Sequence, residues 1–198
     1  MDKETVAAYN EGASGFAEDW LAQPVPSDLY GLLEQYFLLG NTADIGCGAG
    51  RDTAWLASKN FDVVGYDGAS ELLLQASSRY PELHFEHSLL PALEGIERTA
   101  FRNVLCETVI MHLPQEQLDE ALLQLLALLV PGGVLALSWR VNNSSSRDKQ
   151  GRLYTSVNEQ SIVTAFAKHQ ILLDVENTNL SSQRTIRRLI IRKNSNET

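Results

Sequence analysis

Between residues 44 and 50 the chain reads Asp44-Ile45-Gly46-Cys47-Gly48-Ala49-Gly50, three glycines at alternate positions behind an acidic residue. Glycine tolerates positive φ and lets a ligand approach the backbone, and a helix starting just beyond would present unpaired N–H groups and the positive end of its dipole. Glycines at a turn also serve purely structural ends, so a second residue has to decide. Asp67 lies twenty-one residues after Gly46, at the end of the next apolar run, where a carboxylate can accept both hydroxyls of a ribose. The turn and the carboxylate together suit either a dinucleotide or an adenosyl sulfonium.

Two residues separate those readings. A dinucleotide fingerprint needs Gly or Ala at its sixth position for close helix packing, and Arg51 stands there. Asp44, at the strand tip, would oppose a pyrophosphate but attract an ammonium, such as the one on the amino-acid end of S-adenosylmethionine.

The elements that must position these residues follow from periodicity. Helical patterns before residue 24 and over 27–39, with Ser27 as cap and Gly40 as stop, give an N-terminal cap. Strands at 42–46, 62–67, 83–87, 102–106 and 134–139 alternate with helices at 51–59, 70–78 and 115–130, with a turn at Pro131-Gly132-Gly133. Such alternation implies right-handed βαβ units and a parallel sheet. The polar stretch 142–152 reads as a mobile loop; a helix at 158–168 and two β-rich runs, 171–177 and 185–192, suggest a closing antiparallel hairpin.

Several side chains fall at the carboxyl ends of these strands, where open α/β sheets bind ligands. Glu107 and His112 follow the fourth strand and could accept a proton; a cofactor or helix-capping contact for Glu107 and a structural role at a helix entrance for His112 are the alternatives. Arg140 follows the fifth strand and could pair with a substrate carboxylate or phosphate, unless it is simply solvated. Tyr9, Trp20 and Tyr154 could line a substrate pocket, or pack in the core or the lid. His84 and His87 point to opposite faces of one strand, so no metal site is expected. Cys106 reads as a buried thiol, and the run Arg184, Arg187, Arg188, Arg192, Lys193 as a solvated strand face.

With 198 residues and a formal charge of -9, the chain suits one domain whose average surface repels phosphate backbones and anionic headgroups. No apolar run is long enough to span a bilayer, no export signal is visible, and two cysteines make no disulfide framework. A small-molecule partner and a cytoplasmic location are therefore expected, without nucleic acid or membrane.

The glycine turn, Asp67, Leu105-Cys106-Glu107, His112-Leu113 and Pro131-Gly132-Gly133 resemble the class I S-adenosylmethionine-dependent methyltransferases, in particular the small UbiE/methyltransferase-11-like group. The resemblance implies a Rossmann-like doubly wound α/β sheet in the order 3-2-1-4-5-7-6 with its last strand antiparallel. It further implies that Asp44, Gly46, Cys47, Gly48 and Gly50 hold the methionine end, Asp67 the ribose and Gly68 the adenine edge. Ser88 would stand where many members carry an acidic residue for the adenine amine, and backbone at Leu89 and Cys106 would complete the pocket. The organisation expected is a helical cap at 1–40, a cofactor core at 42–140, a mobile loop at 141–157 and a C-terminal helix and hairpin at 158–198. The function expected is methyl transfer to a small acceptor by in-line displacement. A catalytically silent cofactor-binding subunit and a nicotinamide-dependent oxidoreductase are the competing readings.

Overall fold

Strands β1 (Asn41–Ile45), β2 (Asp62–Asp67), β3 (His84–His87), β4 (Phe101–Cys106), β5 (Leu129–Arg140), β8 (Gln170–Thr178) and β9 (Thr185–Arg192) form one seven-stranded sheet in the computed structural model, which describes residues 1–195. A separate pair, β6 (Ser146–Arg147) and β7 (Leu153–Tyr154), intervenes in the chain. The sheet order is β3-β2-β1-β4-β5-β9-β8. Its first five strands run parallel, β9 joins β5 antiparallel, and β8 joins β9 antiparallel. That is the expected order, the sixth and seventh sheet strands here being β8 and β9. The last three residues of the expected C-terminal unit, 196–198, lie outside the described residues.

The helices are α1 (Lys3–Glu11), α2 (Ala13–Ala22), α3 (Ser27–Tyr36), α4 (Arg51–Ser58), α5 (Ser70–Arg79), α6 (Leu118–Leu128) and α7 (Glu159–Phe166). Alternation along the strands sorts side chains to two faces. Val104, Cys106, Leu135, Leu137, Leu189 and Ile191 pack beneath α6 and α7. Leu105, Val134, Ala136 and Ile190 pack beneath α3 and α4. The cap forms a third cluster, in which Tyr9, Phe16 and Trp20 meet Ala69 and Leu72 of the α5 region.

The structure corrects four local expectations. Ser27 is the first residue of α3 and makes no side-chain cap. The helix stops at Tyr36, short of Gly40, because Asn103 receives the Leu38 N–H at 2.9 Å and donates to the Leu38 carbonyl at 2.7 Å, fixing that segment as extended chain. The helix expected over 115–130 divides into a 3₁₀ turn, Gln115–Gln117, and α6. Pro131-Gly132-Gly133 lies inside β5 as an irregularity, since Phe101 pairs with Leu129 and Asn103 with Val134.

The segment expected as a loop over 141–157 contains the β6–β7 hairpin. Arg147 donates to both oxygens of Asp2 at 2.8 Å, Arg152 pairs with Asp148 at 2.7 Å, and the Leu153 N–H reaches the Thr5 hydroxyl at 2.8 Å. Charge-assisted bonds of this kind order a segment that has little apolar surface to bury.

Candidate active site

The parallel strands deliver their carboxyl ends to one edge of the sheet, and a cavity of about 190 Å³ opens there beneath α1 and α2. Its wall includes Gly46, Cys47, Gly48, Asp67, Gly68, Ser88, Leu89, Glu107, His112 and Arg140, with Tyr9, Trp20 and Tyr154 overhead. Thirteen of the sixteen residues singled out from the sequence are thus brought together. Asp44, Gly50 and Cys106 are not on the wall. Glycine 50 caps α4 with φ +83°, and Cys106 is fully buried in the sheet.

Asp44 lies behind the wall. Its parity places it opposite Ala43 and Ile45, toward α4, where it is buried and accepts the Thr53 hydroxyl at 2.6 Å. Burial, reinforced by the charge of Asp52, pushes its carboxyl up to about 7. It therefore fastens the turn to α4 from below.

The turn itself requires glycine. Gly46 has φ +77° and a Cβ there would come 2.3 Å from Val109, while Gly48 has φ +55° and a Cβ there would come 2.8 Å from the Trp20 ring. The cradle is thus narrow and faced by backbone. Asp67 stands beside it, with Oδ2 accepting the Gly48 N–H and Oδ1 the Ala69 N–H, both at 2.8 Å. Burial raises its carboxyl above the usual range, and those backbone donors oppose the rise. Each oxygen keeps a lone pair for a hydroxyl in the cavity. Ser88 is buried and spends its hydroxyl on the Glu94 carbonyl at 3.1 Å.

Glu107 belongs to a buried ionic chain. Its Oε2 accepts the Ser138 hydroxyl at 2.6 Å, and its Oε1 accepts Arg188 Nη2 at 2.9 Å, while Arg188 Nη1 reaches Asp28 at 2.6 Å. Arg188 is 1% exposed, which corrects its reading as part of a solvated basic face. Alternation explains this: Arg188 shares its face with Ile190, pairs in register with Ser138, and so points at α3. Arg187 is partnered too, by Asp174 at 2.7 Å.

His112 is 3% exposed and both ring nitrogens are occupied. Nδ1 faces the Leu153 carbonyl at 2.5 Å and must carry the hydrogen, so Nε2 accepts from the Tyr9 hydroxyl at 2.9 Å. Burial lowers the imidazole to about 4, and it raises the Tyr9 phenol. Tyr154 packs edge-on to His112 at 4.9 Å and lies under the Arg140 guanidinium at 4.9 Å. Sequence reasoning missed Arg152, which sits 4.6 Å from the Phe16 ring and 5.3 Å from the Tyr9 ring. Its only signal was a basic residue next to Leu153-Tyr154 inside an otherwise polar stretch. The loop after β8 adds Asn179, Ser181 and Ser182 to the wall.

Residues 43–133 match the family described as the methyltransferase domain. No curated protein matches the chain. Among solved structures, an S-adenosylmethionine-dependent methyltransferase from Anabaena variabilis superposes with a TM-score of 0.75 at 17% identity, over 97% of this chain and 96% of that one. The 1,6-didemethyltoxoflavin-N1-methyltransferase of Burkholderia thailandensis, solved with 1,6-didemethyltoxoflavin and S-adenosylhomocysteine, gives 0.75 at 17% identity over 96% and 88%. A methyltransferase from Methanosarcina mazei gives 0.72 at 17% identity over 82% and 97%. At such identities these structures establish a shared fold. The match to the methyltransferase domain spans residues 43–133, and the sheet has the fold of these S-adenosylmethionine-dependent methyltransferases. Domain match and fold together support an enzyme that transfers methyl groups from S-adenosylmethionine.

Proposed function

We propose that the chain methylates a small-molecule acceptor in the cavity under the cap, by positioning rather than by general-base catalysis. The glycine cradle and the lone pairs left on Asp67 suit the methionine and ribose parts of the cofactor, with Gly68, Ser88 and Leu89 beside the adenine. When bound, S-adenosylmethionine supplies an electrophilic methyl group: an acceptor lone pair forms the new bond in line as the carbon–sulfur bond breaks, its electron pair neutralises the sulfonium, and any acceptor proton leaves to water. The Tyr9, Trp20 and Tyr154 rings enclose the acceptor side and favour a compact molecule. The Burkholderia relative, solved with a small acceptor beside its cofactor product, supports that choice.

One observation carries the catalytic reading: both ring nitrogens of His112 are occupied, and both Glu107 oxygens already accept a hydrogen bond, one of them from the Arg188 guanidinium. Holding nucleophile, methyl carbon and sulfur in line can then supply most of the acceleration. Incubation of the protein with methyl-labelled S-adenosylmethionine and a cell extract is expected to place label in the small-molecule fraction; label confined to protein or nucleic acid would refute the acceptor class. With the acceptor in hand, His112→Asn is expected to cost about tenfold or less in turnover. Because burial holds the imidazole near 4, it is neutral throughout the working range, and no acidic limb from it is expected near its ordinary value of about 6.5. A loss of roughly 10²–10⁴ together with disappearance of an acidic limb would assign His112 as the base.

A further inference from the structure

Arg140 ends β5 at the cavity wall, partly buried, with its guanidinium 4.9 Å from the Tyr154 ring. The other arginines on that wall have counter-ions: Arg51 pairs with Asp52 at 2.9 Å and Arg152 with Asp148 at 2.7 Å. The carboxylates are committed as well, Glu107 to Arg188 and Asp67 to two backbone N–H groups. Among the described residues, Arg140 has no carboxylate within ion-pair distance. A guanidinium partly withdrawn from water is compensated only in part by a ring face, whereas a planar oxyanion matches its fork of donors.

We propose that the acceptor carries a carboxylate or phosphate group that pairs with Arg140, so that the methylated atom is held at a fixed distance from the cofactor. The inference rests on the methyltransferase reading and names the class of substrate. The cofactor's own carboxylate is the competing partner, but the cradle assigned to that end belongs to β1. Arg140 lies two strands away, since β4 separates β1 from β5, which is about 10 Å at the usual strand spacing. The chain's net charge of -9 does not forbid an anion in the cavity. Salt screens distant charges beyond about 8 Å, whereas a contact pair in a partly desolvated pocket is screened far less.

The test uses full-length protein saturated with S-adenosylhomocysteine and titrated with benzoate, with phosphate, and with benzamide as the neutral counterpart of benzoate. At least one anion is expected to bind, with benzamide at least tenfold weaker than benzoate if the group is a carboxylate, or phosphate the tighter anion if it is a phosphate. Arg140→Gln should weaken the bound anion at least tenfold while leaving S-adenosylhomocysteine affinity unchanged, and Arg140→Lys should recover part of the loss. The proposal is overturned if neither anion binds up to its solubility limit, or if anion affinity is the same in Arg140→Gln. It is overturned equally if that substitution weakens S-adenosylhomocysteine instead, which would give Arg140 to the cofactor. Failure of the unsubstituted protein to bind S-adenosylhomocysteine at all would sink the methyltransferase reading itself, a result separable from the others because it is read before any anion is added.

Discussion

The floor and the roof of the cavity are held by different means. The floor comprises the glycine turn, Asp67 and the ends of β4 and β5, and it rests on the sheet ladder and on backbone N–H groups a few residues away. The roof comprises α1, α2 and the β6–β7 hairpin, and side chains join it across long stretches of sequence: Tyr9 to His112, Thr5 to Leu153, Asp2 to Arg147. A floor of that kind can be stiff before any ligand arrives. A roof tied by a few polar contacts opens at lower cost.

The largest effect is expected where floor and core share one buried charge. Arg188→Met leaves Glu107 and Asp28 without their partner, and breaking a buried pair costs about 3–5 kcal/mol. Urea unfolding should show that loss; a change below about 1 kcal/mol would mean the ionic chain contributes little beyond a hydrophobic substitute of similar size.

A smaller effect is expected at the floor's ligand face. Asp67→Ala should lower cofactor affinity by about 1.5–3 kcal/mol, the range for hydrogen bonds to a charged group. Calorimetry with S-adenosylhomocysteine checks this, and unchanged affinity in a folded variant would remove the ribose assignment. The smallest effect belongs to the roof. Arg147→Ala should leave the melting temperature within error yet speed amide exchange at Asp148 and Gly151, whose N–H groups close the hairpin turn. Equal exchange in both proteins would show that the Asp2 contact does not hold the roof.

The floor was the legible half. Alternating helical and strand patterns gave the sheet order through the resemblance, and Asp67 was found because strand length fixes where a carboxyl end falls. What lies behind the floor was read less well. Asp44 stands behind the floor, because strand parity turns it away from the face shared by Ala43 and Ile45. Arg188 was lost in a basic run: composition suggested solvent, while its parity with Ile190 pointed inward. The roof was out of reach, because Tyr9 and His112 are 103 residues apart and no local pattern joins them. Arg152 shows the remaining gap, a cation ordered by Asp148 and three aromatic rings within a segment whose composition implies a loop.

The position of Trp20 has an optical consequence. The chain has three tryptophans. Trp55 is stacked on Tyr30 at 4.0 Å, and Trp139 is 5% exposed within the core. Trp20 alone stands on the cavity wall, against Gly48. A ligand settling on the glycine turn must therefore change the surroundings of one indole and leave the other two as an internal reference. Intrinsic emission can then follow cofactor entry in the unlabelled protein, with Trp20→Phe as the control that silences it.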